Sequence, residues 1–221
     1  MSTLLSGEIG RSLANSSMIR KMFEAGAELR KQYGADKVYD FSLGNPDVPA
    51  PDAVKKALRE IAEQSDRAFA LGYMPNGGYP ECRRKLAEYM TREQGVPVPE
   101  SRVIASCGAA GGLNALFRAV LEPGDEVMCP SPYFVEYGFY AANFQGVLKP
   151  VSTRPETFAL DCAAIEAAIT PKTRVMLINS PNNPTGQIYT REELRALAAV
   201  LERASQKFGR VIYLVADEPY R

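Results

Sequence analysis

Apolar positions along this chain follow two alternating rhythms, short unbroken runs and longer stretches spaced by three and four residues. Ile19, Met22, Phe23, Ala27 and Leu29 give one rough apolar face, which predicts a helix from a cap at Ser16 or Ser17 to about Tyr33, stopped by Gly34. Residues 38–43 (VYDFSL) read as a strand, and Gly44-Asn45-Pro46-Asp47 turns out of it. Val54, Leu58 and Ile61 share a face of a helix over 51–64, and residues 72–81 are a loop by composition before a helix over 83–92. Residues 103–106 form a short run leading into the small residues 107–114, and a helix continues through Leu116, Phe117 and Val120. Pro123-Gly124-Asp125-Glu126-Val127 turns into a strand ending near Cys129, and Ser131-Pro132-Tyr133-Phe134 opens another helix. Strands are expected at 147–151, 173–178 (TRVMLI) and 211–216 (VIYLVA), and an alanine-rich helix at 161–169. Thr190 and Glu193 have capping-box spacing, and Leu194, Leu197, Val200 and Leu201 carry the helix that follows. Five or six strands alternating with helices predict a largely parallel sheet covered on both faces.

Composition narrows the function more than the fold. At 221 residues the chain can bury a substantial core, and its 46% hydrophobic and 24% charged residues are those of a soluble globular protein. Lys+Arg and Asp+Glu are both 26, so charge gives no support for binding nucleic acid or an anionic membrane. No apolar run approaches membrane-spanning length, and Leu4-Leu5 is too short for a signal-peptide core. Cys82, Cys107, Cys129 and Cys162 lack CxxC spacing, which argues against zinc and a disulfide framework and for a reducing cytoplasm. The chain contains no histidine, so a histidine triad, a histidine-rich metal site and a histidine general base are all excluded within it. There is no internal repeat and no linker.

Candidate chemistry gathers where strands end. The octet Asn179-Ser180-Pro181-Asn182-Asn183-Pro184-Thr185-Gly186 lies between a buried strand and a capped helix, the edge of an open α/β sheet where ligands bind. The 211–216 strand delivers Asp217 and Tyr220 to the same kind of edge. Small residues at the turn near Ala109, Ala110 and Gly111 let backbone N–H groups approach an anion at a helix N-terminus. Taken singly, each feature admits a plainer role. An Asn-Pro pair marks a turn, Phe134 suits a core, Asp217 could cap the next element, Tyr73 could be a loop tyrosine, and small residues favour close helix–strand packing.

Together the motifs resemble the class I/II, fold type I aminotransferases, the aspartate-aminotransferase-like enzymes dependent on pyridoxal 5'-phosphate (PLP). LGNPD (residues 43–47), PGDEV (123–127), SPYF (131–134), SPNNPTG (180–186) and DEPY (217–220) stand in the family's order, and the resemblance runs from about Asn15 to Tyr220. It implies a fold type I large domain, with residues 1–50 as an N-terminal arm and small-domain segment and 51–221 as an incomplete PLP-binding domain. It also implies a role for each matching residue. Asp217 would pair with the pyridine nitrogen, Asn183 and Tyr220 would bond the phenolic oxygen, and Phe134 would stack on the ring. Ala109, Ala110 and Gly111 would cradle the phosphate, through backbone donors alone where many relatives offer a hydroxyl. Tyr73 would reach the phosphate of a neighbouring subunit, and Gly44 and Asn183 would face the substrate carboxylate. The expected reaction moves an amino group from an amino acid, aspartate being one candidate, to a 2-oxo acid, and the expected assembly is a homodimer. None of the chain's lysines sits in the family's Schiff-base context, which is expected beyond residue 221, as is the C-terminal small domain. The 221 residues alone are therefore expected to be inactive. Other readings remain: a β-lyase or decarboxylase on the same fold, or a binding module without catalysis.

Overall fold

The computed structural model describes residues 7, 9–10, 18–39, 41, 44 and 48–220. Residues 1–73 form one compact unit and residues 74–221 another. The first unit contains helices α1 (Met18–Tyr33) and α2 (Asp52–Glu63). Both lie where the apolar spacing predicts them, within a residue or two. Most of the expected 38–43 strand falls outside the described residues; Val38, Tyr39 and Phe41 are in no strand, and the rings of Tyr39 and Phe41 are exposed.

The second unit is a three-layer α/β sandwich. Its helices are α3 (Pro80–Gln94), α4 (Gly108–Val120), α5 (Tyr137–Ala142), α6 (Cys162–Ala168) and α7 (Arg191–Phe208). Its strands are β1 (Glu126–Ser131), β2 (Val147–Ser152), β3 (Thr173–Asn179) and β4 (Tyr213–Asp217). All neighbouring pairs are parallel, in the order β2-β1-β3-β4. The chain steps from β1 outward to β2, then returns past β1 to lay down β3. The strand order thus reverses between β1 and β3, the point in such sheets where loops diverge and leave a crevice at the carboxyl ends.

Alternation along the strands explains the two cores. Val127 and Cys129 of β1 and Val175 and Leu177 of β3 pack with Leu113, Phe117, Tyr137 and Ala141, which places α4 and α5 on one face. Met128, Met176 and Ile178 point the other way, onto Ile165, Leu197, Val200 and Leu201 of α6 and α7. Strands buried on both faces need continuous apolar runs, which is why TRVMLI carries no polar alternation except Arg174. That arginine lies beside strand ends, where its guanidinium donates to the carbonyls of Val120 and Val211. The predicted capping box forms as expected: the Glu193 N–H donates to Thr190 Oγ1 at 3.1 Å and the Thr190 N–H to Glu193 Oε2 at 2.8 Å.

Residues 103–106 do not form the expected strand. The Ala105 N–H donates to the Gly77 carbonyl at 3.0 Å, but no ladder extends from that bond, and the segment runs as an extended lead into α4. Phe134 also precedes its helix by three residues, because α5 begins only at Tyr137.

One ion pair fastens the lower edge of the sheet. Arg210 Nη1 and Nη2 donate to Asp125 Oδ1 and Oδ2 at 2.7 and 2.6 Å, and the Glu122 N–H reaches the same carboxylate at 2.9 Å. Burial works against ionisation of Asp125, but the guanidinium and the backbone donor outweigh it and hold the carboxyl below its ordinary value. A depressed folded-state value means the stabilisation is present above the unfolded value, near 3.8, and is lost as pH falls through the folded one. Asp125→Asn is expected to cost about 3 kcal/mol at neutral pH, since the change leaves Arg210 partly buried without its partner. Urea unfolding curves should show that deficit narrowing below about pH 4.

Candidate functional site

Three strand ends and one helix start converge at the carboxyl edge of the sheet. Asn179 and Asp217 are the last register partners of β3 and β4. The Asn179 side chain, only 3% exposed, donates through Nδ2 to the Asp217 carbonyl at 2.8 Å, and its Oδ1 accepts the Asn183 N–H. Asn182 organises the rest of the octet. Its Oδ1 accepts from the Thr185 hydroxyl at 2.9 Å, and its backbone carbonyl accepts from the Gly186 N–H at 2.7 Å. Gly186 has φ +74°, a conformation only glycine adopts cheaply. The folded octet presents the Asn183 side chain, whose Nδ2 donates to the Tyr220 hydroxyl at 3.1 Å.

The Asp217 carboxylate sits at the same edge, on the face of the sheet that α4 and α5 cover. Tyr137 donates its hydroxyl to Asp217 Oδ2 at 2.7 Å, and among the described residues no other side chain bonds that carboxylate. Tyr137 is 1% exposed. Burial raises its phenol pKa well above the usual value, and the neighbouring Asp217 charge raises it further, so the group stays a neutral donor. Phe134 meets the Tyr137 ring edge to face, with centroids 5.5 Å apart and planes at 81°. Sequence reasoning named Phe134 and passed over Tyr137. The available signal was their spacing of three residues, one helical turn, but a tyrosine at that spacing reads equally well as core.

Helix α4 supplies the third part. The first N–H groups of any helix lack intrahelical acceptors. Here the Gly111 N–H is bonded to the Cys107 carbonyl at 3.3 Å and the Gly108 N–H to the Ser106 carbonyl at 2.9 Å. The Ala109 and Ala110 N–H groups have no such partner among the described residues, so of the three expected cradle amides two remain available at a positive helix end. The cradle cannot be widened by larger residues without cost, since a Cβ on Gly112 would come within 3.1 Å of Ser106 Oγ. A cleft of about 350 Å³ runs between this helix start, lined by Ala109, Gly112 and Leu116, and the end of β4, lined by Val215, Asp217 and Pro219.

The structure thus brings together Ala109, Ala110, Gly111, Phe134, Asn183, Asp217 and Tyr220. Gly44 and Tyr73 belong to the unit of residues 1–73, and both are exposed there. The remaining residues of LGNPD, at 43 and 45–47, lie outside the described residues.

Comparison with known proteins bears on the family and the fold. The family profile for aminotransferase class I and II matches residues 36–220. The aspartate/prephenate aminotransferase of Thermus thermophilus is 41% identical over 194 residues, which are 87% of this chain and 47% of that protein. A crystal structure of an amino transferase from Eubacterium rectale superposes with a TM-score of 0.91 at 35% identity, covering 99% of this chain and 55% of the other. The aspartate aminotransferase of Thermus thermophilus solved with maleate gives a TM-score of 0.81 at 37% identity, covering 100% and 54%. The chain therefore spans about half the length of the relatives it matches. A family match over most of its residues makes this chain a member of the class I and II aminotransferases.

Proposed function

We propose that residues 74–220 form the cofactor-holding part of a PLP-dependent aminotransferase that moves an amino group from an amino acid to a 2-oxo acid, with aspartate a candidate donor. The observation that carries this reading is the meeting, at one edge of the sheet, of a carboxylate, an Asn–Tyr donor pair and two helix-start amides without a partner among the described residues, with Ala109 and Asp217 lining one cleft. That donor set fits the ligand's chemistry. The Ala109 and Ala110 N–H groups suit a phosphate, the Asp217 carboxylate suits a protonated ring nitrogen, and the Asn183 Nδ2 and Tyr220 hydroxyl suit a phenolate oxygen. Bound there, PLP supplies an electron sink for bonds to an amino-acid α-carbon.

The chain's own residues do the positioning. Asp217 would favour the proton on the ring nitrogen as any nearby opposite charge favours a cation, and Tyr137 donates a hydrogen bond to that carboxylate. Asn183 and Tyr220 would donate to the ring's phenolic oxygen, and Phe134 would offer it an aromatic side. The lysine and the carboxylate-clamping arginine that amino transfer requires are proposed to lie outside these residues. Gly44 and Asn183 are proposed to meet the substrate carboxylate, and Tyr73 the cofactor phosphate of a second subunit in a cytoplasmic homodimer.

The test is a pair of measurements. Titrating this chain with PLP should give saturable spectral changes that inorganic phosphate competes away. The natural full-length protein should convert an amino acid and 2-oxoglutarate one for one into the exchanged pair. Release of ammonia and pyruvate instead would favour a β-lyase on the same fold, and failure to bind PLP would favour a non-catalytic module.

A further inference from the structure

Asn179 belongs to none of the roles above, yet it touches both loops that carry them. In a parallel pair the backbone ladder ends with the last register partners, here Asn179 and Asp217. The Asn179 side chain takes over at this point. Its Nδ2 donates to the Asp217 carbonyl at 2.8 Å, adding one more rung between the strands. Its Oδ1 accepts the Asn183 N–H and so folds the octet back over its own strand end. The donor and the acceptor of one amide are thus spent on two different loops. The side chain is 3% exposed, so neither bond is easily replaced by water. A further contact between the two loops is the Asn183–Tyr220 pair at 3.1 Å, on the exposed side.

We propose that Asn179 is a positioning residue that sets the distance between the Asp217 carboxylate and the Asn183–Tyr220 pair, and so fixes the width of ring that fits between them. The proposal rests on the PLP reading for the identity of the ring. An amide is the group this position requires, because a carboxylate cannot donate to Asp217 and a hydroxyl is too short to span both loops. The α4 amides that would hold the phosphate make no bond to Asn179, so phosphate affinity is independent of it.

The experiment uses two probes on this chain, pyridoxine 5'-phosphate, followed by its own fluorescence, and inorganic phosphate. Pyridoxine 5'-phosphate has the ring and the phosphate but no aldehyde, so its binding needs no lysine. Asn179→Ala is expected to weaken it at least tenfold while inorganic phosphate affinity stays within twofold. Asn179→Asp, which keeps only the acceptor for the Asn183 N–H, should fall between wild type and Asn179→Ala, and it carries the comparison alone if the alanine variant does not fold. Equal loss for both probes, or no loss for either, overturns the proposal. If the wild-type chain binds neither probe, the PLP reading fails and the positioning role is read without ligand. Amide exchange at Asn183 should then quicken at least tenfold in the variant, with β1 and β3 unchanged. An Asn183 amide as protected in the variant as in the wild type overturns it.

Discussion

Asp217→Ala is expected to lower the affinity for pyridoxine 5'-phosphate by about 100-fold, the loss of a charge-assisted hydrogen bond worth about 2–3 kcal/mol. The same change should also destabilise the fold, and the two effects can be separated. Tyr137 is buried, and its hydroxyl has the Asp217 carboxylate as its acceptor. Alanine would leave that hydroxyl unsatisfied at a cost of about 1–3 kcal/mol. Asn at position 217 keeps an acceptor for Tyr137 but removes the charge. Asp217→Asn should therefore unfold close to the wild-type urea midpoint and still lose most of the ring affinity. Tyr137→Phe should do the converse in milder form, since it frees the carboxylate from one side without removing it. Wild-type ring affinity in Asp217→Asn would mean the carboxylate serves only the tyrosine, and the cofactor assignment of Asp217 would be withdrawn.

Phe117→Ala is expected to remove about 4 kcal/mol of unfolding free energy, near the upper range for emptying a large aromatic from a core. Phe117 is fully buried in the cluster that joins α4 and α5 to β1 and β3. Domains of this kind have a total stability of roughly 5–15 kcal/mol, so the variant should sit close to its unfolding threshold. The consequence reaches the cleft as well, because Phe117 seats the helix whose first turn presents the Ala109 and Ala110 amides. Inorganic phosphate affinity should decline along with the urea midpoint. Leu116 is only partly buried against the same cluster, and its truncation should cost much less. A loss below about 1 kcal/mol for Phe117→Ala would show that α4 is not anchored by that ring.

The layers of this fold were legible because both periodicities are strong. The run TRVMLI could only be a doubly buried strand, and the Thr190–Glu193 spacing marked the start of α7 to the residue. Where local pattern and tertiary pairing part company, the reading failed. Residues 103–106 have the composition of a strand, but the only backbone bond the structure shows for them outside their immediate neighbourhood is Ala105 to Gly77, and a strand is defined by its neighbours as much as by its residues. Within the site, the chemistry-bearing residues Asp217, Asn183 and Tyr220 could be named from motifs, since they sit at strand ends whatever the details of packing. The groups that hold them were invisible for a physical reason. Tyr137 is 80 residues from Asp217 in sequence, and Asn179 is 38 residues from it. A tyrosine in a helical stretch and an asparagine at the end of a strand give no hint of such distant partners. The Gly111 amide is a case of the same kind, because only coordinates reveal that it is engaged by the Cys107 carbonyl.

The helix start proposed to hold the phosphate offers main-chain amides, with alanines at 109 and 110, and the chain has no histidine anywhere. Main-chain amides neither gain nor lose protons in the physiological range, and histidine is the side chain that ordinarily does so between pH 5 and 8. A phosphate monoester dianion, by contrast, takes up a proton near pH 6 and becomes a monoanion. Acidification should therefore be sensed by the guest and not by its host. Occupancy would decline as the dianion becomes a monoanion, with a midpoint set by the ligand, and no substitution at Ala109 or Ala110 that preserves the helix start would move it.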